Sequence, residues 1–246
     1  MDRKQFFRIL VVAGAACLAA GAAFAESAYT IGASLLTQQH PFYVELADAM
    51  KKAAAKGGAN LDLSIANQDL SKQISDVEDF ISKKVSVIVL SPVDSKGVKA
   101  ALRKAEAAGI PVVTVDIAAT GAEVSSHVAT DNYAGGVEAG ELMAKVLGGK
   151  GKVGVLHYPT IQSVVDRVEG FKKALGAFPG IKVVSVQPGI TRAEALAASQ
   201  NMLQAHPDLA GIFGFGDDAA LAGGVGVKSA RKADQVKVIG FVRMAE

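Results

Sequence analysis

His40-Pro41-Phe42-Tyr43, an isolated Asp116 and the pair Asp217-Asp218 are residue types suited to recognising a molecule rich in hydroxyls. An ionised carboxylate accepts hydrogen bonds from two neighbouring hydroxyls, and an aromatic ring covers the apolar C–H face of a sugar-like ring. Acceptors and amides recur nearby in the chain, at Ser34, Asn67-Gln68-Asp69, Ser91, Asp131-Asn132, His157-Tyr158 and Gln187. Such a set fits a neutral polyhydroxylated ligand. Each residue also has a plainer role open to it. Asp69, Asp94 and Asp131 stand where helix N-caps belong, and Asp217 suits a cap or a ligand contact equally. Phe42 and Tyr43 suit a hydrophobic staple or a core as well as a stacking surface. No helix directly follows Asp116, which favours a site role for it.

Signals of enzymes are missing from the sequence. No G-x-S-x-G, G-x-x-x-x-G-K-[ST] or G-x-G-x-x-G stands in a strand-to-helix turn, and Gly148–Lys152 precedes a strand instead of a helix. His40, His127, His157 and His206 lack metal-ligand spacing, so neither metal nor cofactor is expected.

The elements that must position these residues alternate regularly. Strand candidates are Thr30–Ser34, Leu61–Ala66, Val85–Leu90, Val112–Val115, Ser125–Ala129, Lys152–Leu156, Lys182–Val186, Gly211–Phe215 and Val236–Phe241. Ala-, Lys- and Glu-rich runs of helical length separate most of them, as in successive βα units. Near-continuous apolar strands such as VSVIVL predict a sheet covered on both faces, hence an α/β fold with doubly wound parallel sheets. In such sheets ligands bind beyond the carboxyl ends of the strands, where the polar residues above fall. Thr191–Glu194 and Ser163–Asp166 both fit capping boxes. The looser stretch from Ile117 to Val124 divides four strands from five, which predicts lobes at residues 26–120 and 121–246 with a cleft between them.

Half of the residues are hydrophobic and 6% aromatic, with 26 glycines and no tryptophan, a balance suited to layered α/β packing. Residues 1–25 carry a basic head, an apolar run and Ala23-Phe24-Ala25, the pattern of a cleaved secretory signal with export to a periplasm. Their removal takes three of 26 basic and one of 24 acidic residues, leaving equal numbers. A neutral mature chain gives no electrostatic reason to bind nucleic acid. The one cysteine, Cys17, leaves with the signal, so disulfides are excluded.

Several blocks, taken in order, resemble periplasmic sugar-binding proteins of the ribose-binding type. They are QQHPFYVELADAMKKAA, SPVDSKGVKAALRKAEAAGIPVVTVD, SHVATDNYAGGVEAG, DRVEGFKKAL, AHPDLAGIFGFGDDAALAG and VIGF. The resemblance implies two Rossmann-like lobes that close on one sugar or polyol and deliver it to the permease subunits of an ABC importer, with a monomer expected. A periplasmic sensor subunit for a chemoreceptor or sensor kinase is the alternative. It implies sugar contacts from Ser34, His40 (in place of an asparagine), the stacking pair Phe42 and Tyr43, Asp116, Arg167, Asp217 and Phe241. Departures from the family are Ile117 in place of arginine, Val165 in place of a second arginine, Gly216 in place of asparagine, and Val242 in place of an aspartate. They point away from ribose, toward another pentose, hexose or polyol. From Val242 on the likeness ends, so the expectation is a truncated chain that lacks its returning elements and binds sugar weakly or not at all, a non-functional product in the second case.

Overall fold

β-Branched runs form nine strands, and the runs between them form seven helices, among residues 29–241 described by the computed structural model. The expected signal in residues 1–25, Cys17 and the residues from Val242 on lie outside that range. All nine strands stand where the sequence pattern predicts, with ends moved by a few residues.

The first sheet is parallel with order β2-β1-β3-β4-β5, from β1 (Thr30–Leu35), β2 (Asn60–Ile65), β3 (Val87–Leu90), β4 (Val112–Val115) and β5 (Ser126–Val128). Helices α1 (Pro41–Lys56), α2 (Leu70–Ser82) and α3 (Lys99–Ala107) connect its strands. β1, an interior strand, carries Gly32 because the ring of Phe80 from α2 lies on that position. A Cβ there would meet the ring at 2.6 to 2.9 Å. The second sheet, also parallel, runs β7-β6-β8-β9, from β6 (Lys150–His157), β7 (Gly180–Pro188), β8 (Leu209–Gly214) and β9 (Lys237–Gly240). Its helices are α4 (Asn132–Val146), α5 (Gln162–Leu175), α6 (Arg192–Ala205) and α7 (Asp217–Ser229). Phe171 of α5 stacks flat on Phe213 of β8, with centroids 4.2 Å and planes 6° apart.

Small residues bring α4 and α5 into backbone contact. A Cβ at Gly136 would stand 2.9 Å from the carbonyl carbon and Cα of Arg167 and nearer still to its oxygen. At Gly140 it would stand 2.6 Å from the Phe171 oxygen, and Gly170 is pressed in the same way against Tyr133. This glycine seam fixes where α5 lies, and therefore where Arg167 emerges. One apolar cluster joins Leu35, Tyr43 and Ile117 from the first half to Met143, Phe171 and Phe213 from the second, so the halves share buried surface.

Two expectations are corrected here. The boundary expected at 120/121 placed the fifth strand with the second lobe, but β5 pairs with β4 through Val113–Ser126 to Val115–Val128. The chain therefore changes sheets after Val128, along α4. The capping box expected at Ser163–Asp166 does not form. α5 starts at Gln162, two residues before the start that a Ser163 cap implies, Ser163 is buried inside the helix, and the N-cap position is Ile161, which makes no side-chain cap. The box at Thr191–Glu194 forms as expected, and Asp69 and Asp131 cap α2 and α4. Asp94 accepts from Lys96 N and Gly97 N, holding a turn ahead of α3.

Candidate functional site

Asp116 follows the last residue of β4 in a left-handed conformation, φ +63°, and its N–H donates to Val128 O on β5. That local kink turns the carboxylate toward α1, where Tyr43 O–H donates to Asp116 Oδ2 at 2.7 Å. Ser91, the residue after β3, donates from Oγ to the Tyr43 hydroxyl at 3.4 Å. Pro41 and the His40 N-cap start α1 so that Tyr43 falls in its first turn, and His40 Nδ1 accepts from Phe42 N–H at 3.3 Å. Phe42 packs edge-on against Tyr43 with centroids 5.1 Å apart and stays 42% exposed, a ring face available to a ligand.

Electrostatics mark the cluster. Burial pushes the Asp116 carboxyl above the usual aspartate range, opposed by the Tyr43 hydrogen bond and then by electrostatic attraction, chiefly from the Arg167 guanidinium. Burial, reinforced by the Asp116 charge, raises the Tyr43 hydroxyl well above its ordinary value. Tyr43 thus remains a proton donor at any physiological pH.

Facing this from the second sheet is Arg167 on α5. Its Nε donates to Asn132 Oδ1 at 2.8 Å, one terminal nitrogen donates to Phe215 O at 2.9 Å, and its guanidinium lies 4.1 Å above the Phe241 ring. Phe241 itself lies against Gly135 of α4, where a Cβ would collide with its ring. Burial lowers the Arg167 pKa, while Asp116, Tyr43 and Asp217 hold its charge in place. Asp217 is the buried first residue of α7, where the helix N-terminus favours an anion. Tyr158, after β6, meets Phe215 edge-on at 6.1 Å.

The structure therefore assembles Tyr43, Asp116, Arg167, Asp217 and Phe241, with His40 and Phe42 at the rim. Ser34 is not among them. Strand alternation directs its fully buried side chain to α2, where Oγ donates to Asp76 Oδ2 at 2.8 Å, and Lys72 pairs with the other carboxylate oxygen at 2.9 Å. Sequence reasoning named Ser91 and Asn132 only among the polar residues at strand ends, not among the sugar contacts, and it left out Phe215. Ser91 and Asn132 stood in stretches picked out at strand ends but were passed over beside helix-capping aspartates. Phe215 contributes a backbone carbonyl, which no residue type announces. Among the described residues no cluster of three or more His, Cys, Asp or Glu is placed to hold a metal ion.

A family model for the periplasmic binding protein domain matches residues 31–245, most of the chain. The chain belongs to that family. The ribose import binding protein RbsB of Bacillus subtilis is 36% identical to this periplasmic binding protein over 215 residues, covering 87% of this chain and 69% of the relative. An ABC transporter solute binding protein of Mycobacterium smegmatis, solved with bound glycerol, is 40% identical with a TM-score of 0.81, covering 87% of this chain and 75% of that one. The Caulobacter myo-inositol binding protein, solved with myo-inositol, is 30% identical with a TM-score of 0.81 and the same coverages. The α/β architecture with parallel sheets is the one shared with these structures. In this periplasmic binding protein both polar centres lie beyond the carboxyl ends of parallel strands, where open α/β sheets take ligands.

Proposed function

We propose that this protein is an exported solute-binding protein that captures one neutral sugar or polyol between two lobes and delivers it to an ABC importer. The observation that carries the reading is the opposition of Tyr43–Asp116 on one sheet to Arg167, braced on Phe241, on the other. A carboxylate bridged to a tyrosine accepts from ligand hydroxyls, an arginine donates to hydroxyl oxygens, and Phe42 covers C–H surface. Because each charge already has protein partners, an uncharged ligand adds hydrogen bonds without leaving a charge unbalanced. Relatives named for ribose import and structures holding glycerol and myo-inositol support the ligand class. The signal-like residues 1–25 support a periplasmic location, and permease subunits are the proposed partners.

A thermal-shift panel of D-ribose, D-allose, L-arabinose and myo-inositol tests the reading. At a hundredfold excess over Kd, a ligand specific to the folded state stabilises by about 2.7 kcal/mol, a rise of several degrees in Tm. No rise with any sugar or polyol at millimolar concentration would refute it.

A further inference from the structure

α5 carries Arg167 but does not cap itself. Its N-cap residue, Ile161, offers no side-chain acceptor, and the sequence-predicted serine cap, Ser163, lies buried two residues too late. The acceptor comes from the other half of the molecule. Gln162 N–H donates to Ser95 Oγ at 2.9 Å, and Ser95 stands 67 positions earlier, in the loop that follows β3. The same residue donates its own N–H to Thr160 O at 3.0 Å. Its carbonyl accepts from Thr120 N at 2.7 Å and from Thr120 Oγ1 at 3.3 Å. Ser95 is 2% exposed, and neighbouring Asp94 fixes the turn by accepting from Lys96 N and Gly97 N.

We propose that Ser95 is an interlobe latch, a positioning residue that completes α5 only when the two halves come together. The inference rests on the two-lobe binding reading above. Helix N-termini leave donors that need acceptors. With the halves apart, water must serve Gln162 and Thr160; with them together, Ser95 serves both. Closure is favoured by that exchange, and α5, with Arg167 one and a half turns in, is held in the register the site requires. Thr120 ties the same serine to the segment that follows β4, so the latch and Asp116 sit on one connected stretch of backbone. The hydrogen bonds of Ser95 go to Thr120, Thr160 and Gln162 and not to Tyr43, Asp116 or Arg167, so it acts on the site by positioning α5.

The test is residue-resolved hydrogen exchange on the purified chain and its Ser95→Ala variant, without ligand and with D-ribose, D-allose or myo-inositol, together with stopped-flow release of whichever sugar binds. Ser95→Thr keeps the oxygen, and Ser199→Ala removes a buried hydroxyl bond within α6 as a stability control. Loss of an N-cap predicts about fivefold to tenfold less protection at Gln162 and a similar acceleration of sugar release, with the association rate unchanged. Ser95→Thr should restore both, and Ser199→Ala should alter neither. Unchanged Gln162 exchange in Ser95→Ala, or equal changes in Ser199→Ala, would overturn the latch. Should none of the three sugars bind, the sugar-binding reading is what fails, and exchange at Gln162 without ligand decides the latch alone.

Discussion

Gly136→Ala tests how the glycine seam between α4 and α5 supports the site. The new Cβ would stand 2.9 Å from the Arg167 carbonyl carbon and Cα, and closer to the oxygen, where ordinary contact begins near 3.4 Å. The obstructing atoms are backbone, so no side chain can swing away. α5 must retreat by about 1 Å, because packed interiors hold no slack. Overpacking of this severity costs about 3 kcal/mol, the upper end of its usual range. Replacing a mid-helix glycine with alanine returns about 1 kcal/mol. The net loss is about 2 kcal/mol, or roughly 4 to 8 °C in Tm for a chain of this size. The displacement carries Arg167 away from Asn132, Phe215 and Phe241, so sugar affinity should fall more than stability does, by about a hundredfold. Differential scanning calorimetry with and without the best sugar of the panel measures both. Gly224→Ala is the control, since a Cβ at that α7 position meets nothing within 4 Å. It should gain about 0.5 to 1 kcal/mol and bind normally. If Gly136→Ala melts and binds like the parent chain, the seam does not place Arg167 and the reasoning is wrong.

Asp116→Asn should raise Tm at neutral pH and abolish sugar binding. Its folded pKa is raised by burial, so its contribution to stability is full below the unfolded aspartate value, about 3.9, and is lost as pH rises through the folded one. The stabilising effect of the substitution should therefore vanish by about pH 4 in a pH series of melts. Ser34→Ala breaks the buried bond to Asp76 and should cost about 1 to 2 kcal/mol in denaturant melts while leaving sugar affinity within about twofold. A large selective loss of affinity would return Ser34 to the site. Arg167→Lys keeps the charge but cannot serve Asn132, serve Phe215 O and stack on Phe241 together. A loss of at least about tenfold in affinity by calorimetric titration is expected, and full retention would show that charge alone suffices.

The fold was legible because strand and helix signals agree. Runs such as Val87–Leu90 and Val112–Val115 permit little else, and Gly109, in left-handed φ beyond α3, stops its helix as its residue type implies. The site was legible where side-chain chemistry is unusual for its place, as at Asp116, Tyr43 and Arg167. Ser34 misled because a strand-end serine carries no mark of which face it points to, and here the face belongs to α2. The place of β5 was hidden because a three-residue strand takes its sheet from pairing, which local sequence does not encode. Ser95 was hidden for the same reason, since its partner lies 67 positions away and the local pattern offered a nearer serine in its stead.

The central claim is that Asp116 and Arg167 close on one sugar from opposite sheets. Isothermal titration of the panel sugars into the parent chain and into Asp116→Asn tests it most directly. One sugar should bind the parent at a single site, with no detectable heat in Asp116→Asn. Equal binding to both proteins, or heat from no sugar in the parent, would contradict the account.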